Sequence, residues 1–130
     1  MFKIQEKSAT FKAPVSFKEL DENGRSIRHS IEMEFKRLGR KAFDAALNAV
    51  EMPKDEDGNV IKIPAEEAVE INADQVRELV VGWKIIGKDG EPFPYTRENV
   101  VALLDSYPGL LNAIFATASS GFTGEIARKN

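Results

Sequence analysis

The chain has 130 residues, 42% of them apolar, a net charge of −3 and no cysteine. This length suits one domain over residues 1–130, and the absence of cysteine excludes disulfides, thiol catalysis and Cys-ligated zinc. No apolar run approaches the roughly 20 residues of a membrane-spanning helix, and the charged N-terminus lacks the apolar region of a signal peptide. We therefore expect a protein that is not secreted and has no membrane partner.

Charge is distributed unevenly along the chain. Residues 1–41 carry ten Lys or Arg and six Asp or Glu, residues 42–105 carry six and fourteen, and residues 106–130 carry two and one. The acidic middle argues against nucleic acid as a partner, because nucleic acid binds a net basic surface. The asymmetry is compatible with a head-to-tail contact in which the basic part of one copy meets the acidic part of another. It is also compatible with a solvated surface that has no partner.

Residues 10–36 predict a long β-hairpin, because apolar and polar side chains alternate in both halves. Pro14 lies on the polar side and has no backbone N–H to donate, which predicts an edge strand. Asn23-Gly24 predicts a type I′ turn, in which both central residues have positive φ. The predicted apolar face consists of Phe11, Ala13, Val15 and Phe17 in the first strand and Ile27, His29, Ile31, Met33 and Phe35 in the second.

Residues 40–118 predict about four helices. We therefore expect an α+β fold in which the N-terminal hairpin packs on a predominantly helical C-terminal two-thirds. Apolar residues at helical spacing indicate one helix in residues 40–50 and another in residues 72–83, the second with Asn72 as its N-cap. The predicted stripes are Phe43, Ala46, Leu47 and Val50 in the first and Val76, Leu79, Val80 and Trp83 in the second.

Two further helices are predicted near the C-terminus. Thr96 is expected to cap the third, and Pro108 to occupy the first position of the fourth, where its missing N–H costs nothing. Residues 51–71 show no firm pattern and are interpreted as a possible mobile loop, and residues 119–130 as a C-terminal tail. The predicted stripes are Val100, Leu103, Leu104 and Tyr107 in the third helix and Leu111, Ile114, Phe115 and Ala118 in the fourth.

The connector at residues 82–96 contains two prolines and a turn at Asp89-Gly90. Its prolines stiffen an extended entry to the third helix. Two interpretations of Phe93 and Tyr95 stay open, because they either lock the connector onto the core or present it to a partner.

No pattern of catalytic residues is present. His29 lies on the apolar side of a strand, where a packed histidine is commoner than a catalytic base. The serines near His29 lack a nucleophile motif. Asp55, Asp57 and Gly58 resemble part of a calcium loop, but the remaining oxygen ligands are missing. No glycine-rich phosphate-binding motif occurs. We expect no enzymatic activity, no catalytic residue, no metal site and no cofactor.

Over nearly its whole length the chain resembles the tail assembly chaperones of long-tailed, siphovirus-type bacteriophages. The resemblance depends on the order of its segments rather than on one motif. These segments are MEFKRL at residues 33–38, VVGWK at 80–84, PFPYTRENVVALLD at 92–105, YPGLLNAIFATA at 107–118 and ARKN at 127–130. Residues 51–71 match nothing characteristic of the family, and the C-terminal segment is longer than expected.

The resemblance implies a role in virion morphogenesis without enzymatic activity. Such a chaperone binds the tape measure protein, keeps it soluble and promotes polymerisation of the tail tube around it. It self-associates, with rings as one form. A longer frameshifted form recruits the tail tube protein. The implied location is the cytoplasm of the bacterial host, and the mature virion lacks the protein. Another phage structural adaptor, such as a head–tail connector, is the alternative.

The residues Arg128-Lys129-Asn130 sharpen this interpretation. A slippery run A-AAA-AAC after an Arg codon ending in A encodes Arg-Lys-Asn, which predicts the short product of a −1 frameshifting gene. A basic tail that favours the dipole at a helix C-terminus explains the same residues. Because a chaperone needs an exposed apolar surface, we expect partner contacts at Phe93, Tyr95, Leu110, Leu111 and Phe115.

Overall fold

The computed structural model describes residues 1–124 and confirms the α+β class. The described elements are β1 (Thr10–Leu20), β2 (Ser26–Lys36), α1 (Arg40–Asn48), α2 (Ala65–Arg77), β3 (Val80–Lys84), α3 (Arg97–Ser106) and α4 (Leu110–Thr123). The strands form one antiparallel sheet in the order β1-β2-β3. Within residues 1–124 no single helix has the length and apolar character to cross a membrane. Only α3 and α4 taken together reach that length and apolar character, and this pair is bent by 113°.

The predicted hairpin is confirmed. β1 and β2 pair without interruption from Thr10 opposite Lys36 to Leu20 opposite Ser26. β1 is an edge strand, as Pro14 predicted, because its other side has no strand beside it in the described sheet. The predicted apolar face is buried at Ala13, Val15, Phe17, Met33 and Phe35. Its prediction is wrong at Ile27, which is 38% exposed because it lies near the hairpin tip, beyond the packed helices.

The predicted type I′ turn is wrong, although the hairpin turns at the predicted place. Gly24 has φ +77°, but no residue other than glycine has positive φ in the described chain, so Asn23 does not adopt the required conformation. The turn is a three-residue loop whose last residue is left-handed. Asp21 stabilises it, because its Oδ1 accepts the N–H groups of Asn23 and Arg25, each at 2.8 Å.

The predicted helix at residues 72–83 is wrong at both ends. α2 begins at Ala65, so Asn72 lies inside it, and Val80–Lys84 form the third strand instead of a helical turn. β-Branched residues beside a glycine favour an extended chain over a helix. Trp83 lies opposite Met33 and Val80 opposite Phe35, with a bulge between the two pairs. The bulge places two residues spaced i and i+3 on one face of a strand, which mimics helical periodicity.

Residues 51–71 contain more structure than their sequence indicates. A turn like that of the hairpin forms at Asp55, whose Oδ1 accepts the N–H groups of Asp57 and Asn59, both at 2.9 Å. Gly58 closes this turn with φ +83°. The first seven residues of α2, 65–71, fall within the same range.

The third and fourth helices are confirmed, with a corrected start for the fourth. Thr96 caps α3 as predicted, because its Oγ1 accepts the N–H of Asn99 at 3.2 Å. Pro108 is not the first residue of α4. It lies in a turn closed by the Leu110 N–H and the Tyr107 carbonyl at 3.0 Å, and proline favours the second position of such a turn. α4 also continues past residue 118 to Thr123.

The helices cover one face of the sheet. α4 packs mainly on β1, α2 packs on α3, and α2 also reaches β3. The opposite face of the sheet carries charged residues such as Lys12, Glu34 and Lys84. The buried apolar core consists of Ala13, Val15, Phe17, Met33, Phe35, Phe43, Ala73, Val76, Leu79, Val80, Val100, Leu104, Leu110, Ile114 and Ala118.

Candidate partner-binding surfaces

The connector between β3 and α3 folds back beside the end of β3. The Phe93 N–H donates to the Ile85 carbonyl at 2.8 Å, and the Gly87 N–H donates to the Glu91 carbonyl at 2.8 Å. Ile86 and Pro92 form an antiparallel bridge between the two arms. Pro92 and Pro94 have no N–H to offer on this returning arm, and prolines discourage pairing at a sheet edge.

Phe93 and Tyr95 attach this connector to β3. The Trp83 indole Nε1 donates to the Phe93 carbonyl at 2.7 Å. Its ring stacks on Phe93 with centroids 6.0 Å apart and meets Tyr95 edge-on at 5.0 Å. The Tyr95 hydroxyl donates to the Val80 carbonyl at 2.7 Å. Burial raises the pKa of Tyr95 to about 12, so the phenol keeps its proton at neutral pH. The sequence left open whether Phe93 and Tyr95 fix the connector to the core or present it to a partner. The structure shows that both residues fix the connector to β3.

The predicted contacts on α4 occupy different environments. Leu110 is only 1% exposed and belongs to the core, so it lines no surface. Its position, directly after the Pro108 turn, orients it inward with Ile114 and Ala118. Leu111 and Phe115 lie one turn apart and are half-buried. The five predicted partner contacts thus divide among the connector, the core and one side of α4.

Phe115 lines a shallow groove between α1, α2 and α4, here named the three-helix groove. The groove is formed by Ala46, Leu47, Gln75, Leu79 and Phe115. Leu47 was predicted on a buried stripe, yet it is 44% exposed. A nine-residue helix such as α1 buries chiefly Phe43, and the next turn is only partly covered. An aliphatic and an aromatic side chain are therefore presented together on this side of the molecule.

A second cleft lies between the start of β1, the end of β2, α1 and the end of α4. This second cleft is here named the aromatic cleft, because its lining includes the rings of Phe11, Phe35, Phe43 and Phe122. Phe43 and Phe122 stack with centroids 4.4 Å apart, and Phe11 and Phe35 stack at 5.4 Å. The sequence prediction missed this cleft because Phe122 fell in the presumed tail. The signal was present, since Phe122 follows Phe115 by seven residues and Ala118 by four.

Two arginines cover rings of this cleft. The guanidinium carbon of Arg37 lies 5.7 Å from the centroid of Phe11, and that of Arg40 lies 5.5 Å from the centroid of Phe122. Arg37 is held further by its Nε, which donates to the Ser8 carbonyl at 3.1 Å. Such cation–π contacts restrict the orientation of a guanidinium group while leaving its charge available.

The single histidine is placed as a packed strand residue. His29 Nε2 lies 2.6 Å from Glu19 Oε1, and its ring packs near Phe17 and Tyr107. Ser30 follows it in β2 and therefore faces the other side of the sheet, which separates it from the imidazole. Within residues 1–124 no three histidine or acidic side chains group closely enough to hold a metal ion.

The described part of the chain thus presents two grooves with apolar side chains, of which the aromatic cleft has a basic rim, and apolar grooves are typical of proteins that bind a partner. The family of the chain follows from comparison with known proteins. The chain matches the phage tail assembly chaperone family over residues 1–127, and it belongs to that family. The match confirms the resemblance seen in the sequence and suggests a non-enzymatic role. No curated protein and no solved structure shows a significant match.

Proposed function

We propose that this tail assembly chaperone binds the tape measure protein, keeps it soluble and promotes polymerisation of the tail tube around it. Membership of the family over residues 1–127 is the observation that supports this role most strongly. A tape measure protein is long and helix-rich, and it exposes apolar helical faces until the tube covers them. An apolar groove accommodates such a face, and several copies along one client bind it with avidity.

The client contact is proposed at the three-helix groove. Phe115 and the exposed Leu47 supply its apolar lining, and Leu111 extends the same side of α4 by one turn. Leu110 is left out because its side chain is buried. Phe93 and Tyr95 are retained as a secondary contact, because both residues are only half-buried.

Co-expression with the tape measure protein tests this placement. Leu47→Asp puts a charge into the groove at a position that is 44% exposed, so folding should be retained. Leu20→Asp is the matched control, because Leu20 is 70% exposed at the hairpin tip. The wild type and the control should recover soluble tape measure protein in a pull-down, and Leu47→Asp should recover at least about tenfold less, as expected for a charge in an apolar contact. Equal recovery by a folded Leu47→Asp variant and a folded Leu111→Asp variant would exclude the groove.

A frameshifted longer form is the second part of the proposal. It rests on Arg128-Lys129-Asn130, which lie outside the described residues. The longer form would recruit the tail tube protein, while the short form coats the client. The nucleotide sequence tests this directly: a slippery A-AAA-AAC run at these codons and an overlapping −1 frame are expected, and the absence of either contradicts the idea.

The third part concerns location. We propose that the protein acts in the cytoplasm of the bacterial host and leaves the tail before the virion matures. Mass spectrometry of purified particles should then detect the tape measure protein without this chain. Detection of this chain in stoichiometric amounts would instead favour a structural adaptor such as a head–tail connector.

A further inference from the structure

The aromatic cleft carries cations that have no anionic partner within the described chain. Among residues 1–124 no carboxylate oxygen lies within 4 Å of the Arg37 or Arg40 side-chain nitrogens. Lys7 and Lys36 also line the cleft. The floor is apolar and the rim is basic, so the chemistry that fits is an acidic segment with exposed aliphatic side chains.

The chain itself contains a segment of that chemistry. Residues 51–70 hold seven Asp or Glu and two Lys. Within this stretch Val60 is 60% exposed and Ile61 is 44% exposed. Glu66 and Glu67 are exposed in the first turn of α2, and neither forms an ion pair within the part of the chain that the structure describes.

We propose that the aromatic cleft of one copy binds residues 51–67 of a second copy, head to tail. The two arginines receive Glu66 and Glu67, while Val60 and Ile61 cover the rings between them. Charge and apolar surface match on both sides of the contact, which is what selects a second copy over an unrelated partner. The cation–π contacts hold the guanidinium groups in place before binding, so less conformational freedom is lost on association.

The contact is heterologous, because it joins two different parts of the surface. An open chain of such contacts keeps one unused cleft at one end and one unused acidic segment at the other, so assembly continues until the chain closes into a ring or grows as a helix. The proposal deepens the proposed function, since it supplies the means by which copies are repeated along the client, and its biological meaning rests on that function.

Charge reversal tests the pairing. Arg37→Glu with Arg40→Glu makes the cleft acidic, and Glu66→Lys with Glu67→Lys makes the segment basic. Each double variant alone should be monomeric in sedimentation velocity at low salt, with self-association weakened about tenfold or more, because attraction becomes repulsion at two positions. An equimolar mixture of the two variants should assemble again, and so should the quadruple variant, because each then offers opposite charges.

A matched control reverses charges elsewhere. Arg25→Glu with Arg28→Glu changes the net charge by the same amount at the hairpin tip and should leave assembly unchanged. The proposal is overturned if the wild type is monomeric at all concentrations, if the control dissociates as the cleft variant does, or if the mixture and the quadruple variant stay monomeric. None of these results removes the proposed function, which the tape measure pull-down tests separately with the wild-type chain.

Discussion

Tyr95→Phe isolates the hydrogen bond that ties the connector to β3. The variant keeps the ring against Trp83 but removes the hydroxyl that donates to the Val80 carbonyl at 2.7 Å. Val80 is only 2% exposed, so water replaces this donor poorly. Leaving a buried acceptor without its partner costs about 1–2 kcal/mol. For a chain of this size, each kcal/mol lowers the melting temperature by about 3–5 °C.

Burial of the same hydroxyl group makes its contribution to stability depend on pH. Burial raises the pKa of Tyr95 to about 12 in the folded protein, whereas an unfolded tyrosine has a pKa of about 10. Below pH 10 both states keep the proton, and the bond stabilises the fold fully. As the pH rises from about 10 to 12 the unfolded chain releases its proton more readily, so stability falls and the contribution is lost above the folded pKa. The variant has no such group, so its deficit relative to wild type should shrink over this range.

Urea unfolding followed by far-UV circular dichroism measures both effects. Trp83 is the single tryptophan and reports the connector by fluorescence in the same experiment. Tyr107→Phe is the matched control, because no hydrogen bond of the Tyr107 hydroxyl is present among residues 1–124, and its cost should stay below about 0.5 kcal/mol, as for an unpaired surface group. A Tyr95→Phe variant as stable as wild type at pH 7, or a deficit that is equal at pH 7 and pH 11, would refute the reasoning.

Three further substitutions test the fold, each by urea unfolding. Gly24→Ala should cost about 1–2 kcal/mol of stability, because an L-residue is strained at φ +77°. The control Gly82→Ala lies at a strand position with open space and no positive φ, so it should change stability by less than about 0.5 kcal/mol. Equal costs for the two variants would contradict the assigned turn. Thr96→Ala should cost about 1 kcal/mol through loss of the α3 cap, and Thr96→Ser should restore it; failure of serine to do so would exclude capping. Leu110→Ala should cost about 2–5 kcal/mol of stability, because the side chain is buried in the core. A cost near zero would contradict this burial.

The hairpin was predictable because its pattern is produced by a single cause. A strand with one buried face alternates along its whole length, and the ladder from Thr10 to Lys36 has no bulge to interrupt it. β3 was not predictable for the opposite reason. A bulge at Val81 moves Trp83 back onto the same face as Val80, and the resulting spacing is that of a helix. A prediction from periodicity assumes a regular strand, and it fails wherever a β-bulge inserts an extra residue.

The binding surfaces were predicted less completely. Phe93 and Tyr95 in the connector were predicted as partner contacts, but their rings pack against Trp83. The exposure of Leu47 depends on how much of α1 its neighbours cover, which is a tertiary property. Phe122 was assigned to the predicted tail at residues 119–130, whereas α4 continues through Gly121 to Thr123. Propensity is a weak preference, and packing overrides it.

The most direct test of the central claim is infection with a phage carrying an early amber codon in the gene for this chain. In a host without a suppressor, the account predicts filled capsids without tails, and tape measure protein in the insoluble fraction of the lysate. Supplying the wild-type short form together with any longer form should restore both tails and solubility. Tailed particles in normal yield from the non-suppressing host, with soluble tape measure protein, would contradict the account.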